Sequence, residues 1–208
     1  MLFDTHAHLD DEALYADLAG VLERAGAAGV GQITTVGCDW RSSLMALRLA
    51  EKHPAQLYAA IGVHPHEAKH YTPELAENLA ELARAEKTVA WGEIGLDYYH
   101  DHSPRDVQQR VFREQLDAAR QAGLPVIIHD RDAHQDVLRI LREAGAGADG
   151  GIMHCYSGSW EMAKDFLRLG LCLSFAGPLT YHNAKTPAEV AARAPEDMLL
   201  VETDCPYL

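Results

Sequence analysis

The stretch "LFDTHAHLDDEALYADLAGVLERAGAAGVGQITTVGC", Leu2 to Cys38, decides how the rest of the chain is read. Leu2–Leu9 reads as a strand. Leu14, Leu18, Val21, Leu22 and Ala25 then recur at helical spacing over Ala13–Ala27. Val30–Cys38 is a second apolar strand. Two strands joined by one helix make a parallel pair with the helix packed outside the sheet. The alternation continues to the end of the chain, with strands at Leu57–Val63, Val89–Leu96, Pro125–His129, Gly151–Cys155, Leu171–Phe175 and Met198–Val201. Eight short apolar strands, covered on both faces, are the number that closes a (β/α) barrel. No linker or low-complexity stretch interrupts them, so residues 1–208 read as a single domain. Seven helices serve the eight strands. The expected fold is an α/β, TIM-like (β/α)8 barrel lacking the last helix.

Composition narrows the function. Apolar residues make up 48% and charged residues 24%, enough for a substantial core and against global disorder. The formal net charge of −13 argues against a broad basic surface for duplex nucleic acid. It leaves open a small phosphate-handling site, because bound divalent cations reverse the local field. No apolar run reaches the ~18 residues of a membrane span, and no leader pattern opens the chain, so a cytoplasmic protein is expected. Cys38, Cys155, Cys172 and Cys205 lack paired spacing and read as buried, reduced thiols.

A barrel of this kind builds its active site from the C-terminal ends of its strands. There the sequence places His6 and His8 (strand one), His64 and His66 (strand three), Glu93 (strand four), His129 (strand five), His154 (strand six), and Glu202 and Asp204 (strand eight). Taken alone each is weak: a lone H-x-H is more often a surface or core pair, and a lone strand-end histidine is usually packing. Together they are imidazoles and carboxylates at one mouth, costly to bury unless something neutralises them. Strand alternation sends His6 and His8 to one side, Thr5 and Ala7 to the other. Imidazole and carboxylate donors suit zinc, manganese or a related divalent ion. A pair of cations needs a shared carboxylate, for which Glu93 is the natural choice, and Asp204 can ligate and act as general base.

The motifs "FDTHAHLD", "GVHPHEA", "WGEIGLDYY", "VIIHDRDA", "HCYSG" and "VETDCPYL" resemble, in order, those of the TatD-type metal-dependent deoxyribonucleases of the amidohydrolase superfamily. The resemblance spans the whole chain. It implies two divalent cations (Mg, Mn or Zn), one held by His6, His8, Glu93 and Asp204 and the other by Glu93, His129 and His154. It implies hydrolysis of DNA phosphodiesters, 3′-to-5′ exonuclease-like, with a hydroxide bridging the metals as nucleophile. His64 would face the substrate phosphate as proton donor or electrostatic clamp.

Other positions keep two readings. His66 reads as structural, against a third metal site shared with His64. Arg131 meets a substrate phosphate or pairs with a nearby Asp. Glu202 orients a ligand histidine. Ser157 caps a turn or touches substrate, and Tyr98 and Tyr99 stack on a base or pack under a loop. The chain departs from the family where His100 stands in place of a basic residue, usually Arg. It also lacks the basic loop and final helix that follow "ETD-x-PY". The rival functions are a C–N or ester hydrolase of the same superfamily and a metal-binding but idle barrel. Many of the former use a strand-four lysine, and Val89–Tyr99 has none.

Overall fold

The computed structural model describes residues 1–208. Its strands are β1 (Leu2–Ala7), β2 (Val30–Val36), β3 (Leu57–Ile61), β4 (Thr88–Asp97), β5 (Val126–Arg131), β6 (Gly151–Met153), β7 (Cys172–Phe175) and β8 (Leu199–Val201). They form one eight-stranded sheet in sequence order, every neighbouring pair parallel. The sheet curls until β8 meets β1. The seam is sewn by Thr5 Oγ1 donating to the Val201 carbonyl (3.1 Å), and by backbone bonds from Asp204 to His6 (2.9 Å) and from His8 to Cys205 (2.8 Å). This is the expected nearly closed TIM-like barrel, and no helix follows β8 within these residues.

The helix expected over Ala13–Ala27 is two helices, α1 (Glu12–Tyr15) and α2 (Leu18–Ala27). Asp17 leaves helical geometry between them, at φ −129° and ψ 41°. A short polar side chain in a helix interior favours such breaks. Its carboxylate instead accepts from Arg24 at 3.0 Å. The remaining helices are α3 (Trp40–Lys52), α4 (Pro73–Leu82), α5 (Arg105–Ala122), α6 (His134–Ala144), α7 (Trp160–Arg168) and α8 (Lys185–Arg193). None is long and apolar enough to cross a membrane.

Every helix except α1 buries apolar residues against the sheet or its neighbours. Phe112 and Leu116 of α5 and Phe166 of α7 join Trp91, Ile94 and Leu96 of β4 in the largest core cluster. Inside the barrel a smaller cluster is built from strands alone: Val36, Ala60, Ala90 and Ile127. Below it a pocket open to solvent at the N-terminal ends of the strands is lined by Phe3, Thr5, Thr34, Ile127, Ile152 and Leu200, among others. The four cysteines are free and half-buried rather than fully buried.

Strand alternation fails at one predicted place. Ala7 packs outside, with Leu18 and Leu22 of α2. Thr5, expected on that same side, instead lines the interior and meets Ser174 Oγ at 3.1 Å. A register shift between Asp4 and Ala7 lets Thr5 and His6 both face inward.

Candidate metal centre

The mouth collects the expected side chains. His6 and His8 leave the end of β1, His64 precedes a 3-10 helix (Pro65–His70) after β3, and Glu93 lies within β4. His129 lies in β5, and His154, Glu202 and Asp204 directly follow β6 and β8. β4 shifts register between Trp91 and Ile94, placing Glu93 inside while Trp91 and Ile94 face the helices. Gly95 pairs with His129 across β4 and β5, and a Cβ there would lie 2.0 Å from the His129 carbonyl oxygen. Its φ of +142° is equally hard for any other residue, so glycine is what lets the two strands approach beneath the site.

Glu93 is the centre of the arrangement. Its Oε2 lies 3.3 Å from His6 Nε2, and its Oε1 lies 2.7 Å from His129 Nδ1, 3.6 Å from His64 Nε2 and 3.8 Å from His154 Nε2. On the Oε2 side, His6 Nε2 and His8 Nε2 are 3.2 Å apart, and Asp204 Oδ1 is 3.4 Å from His8 and 3.8 Å from His6. Donors on one tetrahedral cation with bonds near 2.1 Å are separated by about 3.4 Å. His6 stands near that spacing from Glu93, His8 and Asp204, and His8 from Asp204.

The other side differs from the expected grouping. His64 and His129 approach Glu93 as a compact triplet. His154 lies against His6, ring centroids 3.7 Å apart, with its Nε2 3.8 Å from both Glu93 Oε1 and Asp204 Oδ2.

Hydrogen-bond partners on the far ring nitrogens decide which imidazoles offer a lone pair. His8 Nδ1 faces the Val36 carbonyl at 3.1 Å, so it carries the proton and Nε2 is free toward the site. His154 Nδ1 lies 3.0 Å from Glu202 Oε1, which turns Nε2 toward the site. Glu202 also accepts the Cys155 backbone N–H at 2.6 Å. His64 is opposite: its Nδ1 accepts the His66 backbone N–H at 3.2 Å, which puts the proton on Nε2. His64 therefore points an N–H at Glu93, not a lone pair, and is the poor ligand of its triplet. The donor chemistry of the mouth fits divalent cations, and His6, His8 and Glu93 stand close enough together to share one.

The local field agrees. Burial alone would raise the Glu93 carboxyl, but His64, His154 and His6 around it hold it well below the usual range. Burial depresses His6 and, more strongly, His64, keeping both neutral. Burial opposes protonation of His129 and His154 too, yet the carboxylates facing them prevail. Asp97 and Glu93 raise His129 to about 9, and Glu202 and Glu93 raise His154 to about 9.

Asp97 joins the same mouth, although its sequence context did not single it out. Fully buried at the end of β4, its Oδ2 lies 3.3 Å from His129 Nε2, 2.8 Å from His66 Nε2 and 2.9 Å from His100 Nδ1. It shares the inward face of β4 with Glu93 and Gly95, and counting alternate residues onward from Glu93 would have found it. Arg131 pairs with no carboxylate; its guanidinium lies 4.7 Å over the exposed Tyr99 ring at the rim. Tyr98 packs, its hydroxyl donating to Asp136 at 2.8 Å. Ser157 is exposed.

A parallel barrel with this mouth defines a metal-dependent hydrolase. More narrowly, the chain belongs to the TatD related DNase family, whose model matches residues 3–208. It is 50% identical over 208 residues to the metal-dependent hydrolase YabD of Bacillus subtilis, covering all of this chain and 81% of that protein. It is 32% identical to the 3′-5′ ssDNA/RNA exonuclease TatD of Rahnella, covering all of this chain and 79% of the relative. The crystal structure of YJJV, a TatD homologue from Escherichia coli K12, superposes with a TM-score of 0.93 at 36% identity, over 99% of this chain and 79% of that one.

Proposed function

We propose that the protein hydrolyses DNA phosphodiester bonds, releasing nucleotides from the 3′ ends of single strands. Two divalent cations (Mg, Mn or Zn) would be held by His6, His8, Glu93 and Asp204, and by Glu93, His129 and His154. One observation carries the reading: the two oxygens of Glu93 face two separate donor sets, Oε2 toward His6 and Oε1 toward His129. When bound, cations there act as Lewis acids on a phosphodiester and lower the pKa of water. They also offset the formal charge of −13 against a polyanionic substrate.

The chain's own groups supply the rest. Asp204, beside His8 and His154, holds a cation and accepts the proton of the attacking water. Glu202 fixes the His154 ring and Asp97 the His129 ring, each by facing the far nitrogen. His64, neutral with its proton on Nε2, is a hydrogen-bond donor to a phosphate oxygen or leaving group rather than a cationic clamp. Arg131 and Tyr99 form a rim platform suited to a phosphate beside a stacked base. Val89–Tyr99 contains no lysine, which favours phosphodiester over C–N hydrolysis.

The test is cleavage of single- and double-stranded DNA with magnesium or manganese, alongside His6→Ala. Metal-dependent 3′ shortening of single strands, lost in the variant, is the expected result. Turnover of an amide or lactone panel without DNA cleavage would transfer the activity to C–N or ester hydrolysis. Bound metal with no turnover of anything would leave an idle barrel.

A further inference from the structure

A second gathering of imidazoles lies at the rim, around Asp97 rather than Glu93. His66 Nε2 and His100 Nδ1 approach Asp97 Oδ2 at 2.8 and 2.9 Å, and the three ligand atoms lie within 4.8 Å of one another. His102 stands beside them, its ring centroid 4.6 Å from that of His66 and 5.5 Å from the His100 ring it stacks on.

The carboxylate is over-subscribed. Its Oδ1 accepts the backbone N–H groups of Tyr99 (3.0 Å) and His100 (2.8 Å). Its Oδ2 then faces three imidazole nitrogens, those of His66, His100 and His129. A carboxylate offers about four acceptor positions, two on each oxygen, so five donors exceed it. His129 keeps one position, because its other nitrogen faces Glu93. A cation in place of the two protons from His66 and His100 would satisfy every group at once, with the two partly exposed imidazoles moving out by about 0.5 Å to metal-donor spacing.

The supports are built in. The two backbone bonds fix the Asp97 plane, and Ser103 Oγ donates to the His66 carbonyl at 2.7 Å, holding the loop that carries His66. Asp97 is fully buried, while the side chains of His66 and His100 are 27% and 39% exposed, so an ion can enter from solvent.

We propose that His66, Asp97 and His100, with His102 alongside, form a further site for a divalent transition-metal ion at the rim of the mouth. Two imidazoles and one carboxylate select zinc, nickel or copper over magnesium and calcium. Three protein donors leave a position for water or an anion. The site does not depend on the reading of the Glu93 centre, which shares none of these three donors.

The experiment counts bound zinc in the chelator-treated, re-loaded full chain for wild type, His100→Ala and Glu93→Gln. Calorimetric titration supplies affinities, and cobalt(II) substitution supplies a visible spectrum. His100→Ala should bind one zinc fewer per chain, or bind that ion about 100-fold more weakly, with its melting temperature before loading unchanged. Glu93→Gln should keep the ion lost in His100→Ala, which separates this site from the main centre. Equal zinc content, affinities within about threefold and the same cobalt spectrum in wild type and His100→Ala would overturn the proposal. If His100→Ala melts differently, His100→Gln, which keeps a hydrogen bond to Asp97 but is not an imidazole, must show the same loss of one ion, and an unchanged ion count there overturns it.

Discussion

The two ends of the barrel interior are opposites. At the C-terminal end His6, His8, His64, Glu93, His154 and Glu202 are all buried, a costly accumulation of polar and ionisable groups. At the N-terminal end the same strands contribute Phe3, Ile127, Ile152 and Leu200, with only Thr5 and Thr34 to interrupt the apolar lining. One set of strands therefore carries stability below and chemistry above, a division that follows from building loops at one end of a closed sheet. A side chain's height along its strand should decide whether its loss damages turnover or folding.

The largest expected effect is at the top. Glu93→Gln should lower metal-dependent hydrolysis by about 10³-fold or more, because one side chain serves both donor sets; initial rates at saturating metal check it. Retained activity would break the contrast. At the bottom, Ile127→Ala should cost about 2–5 kcal/mol of stability, since Ile127 is 2% exposed and helps fill the strand-built interior cluster. Its kcat should stay near wild type. Denaturant melts alongside kinetics separate the two.

A smaller effect concerns pH. His129 and His154, both raised to about 9, are protonated at neutral pH, and a cation that takes their ring nitrogens must expel those protons. Metal affinity should therefore rise between pH 7 and 9, by about tenfold per unit for each proton released, and level off above. Calorimetry in two buffers of different ionisation enthalpy counts the protons. Release of none at pH 7.5 would contradict the charge state assigned to this pair. The smallest effect is at the rim, where Arg131→Ala should raise KM for single-stranded DNA about twofold to fivefold with kcat unchanged, more visibly at low salt.

The sequence showed the division more clearly at the top than at the bottom. Ligand-type residues at six strand ends stood out because each ends an apolar run, and strand–helix alternation gave their common side. Local departures from regular geometry were not legible. The register shift near His6 turns Thr5 inward against simple alternation, and Asp17 splits a helix whose apolar spacing is unbroken. The first is set by the contacts of Thr5 with Ser174 and Val201, the second by the polar Asp17 itself, rather than by periodicity. Asp97 was missed for a different reason: it shares the Glu93 face of β4, but its surroundings emerge only when His66 and His129 arrive beside His100. His64, read from its motif as substrate-facing, lies 3.6 Å from Glu93, and one backbone N–H on its Nδ1 leaves it an N–H rather than a lone pair to offer there.

The central claim is that Glu93 joins two cation positions. Anomalous diffraction at the manganese edge, from crystals grown with manganese, tests it most directly. Two peaks should flank the Glu93 carboxylate, one among His6, His8 and Asp204 and the other toward His129 and His154. A single peak, or manganese bound away from Glu93, would contradict it.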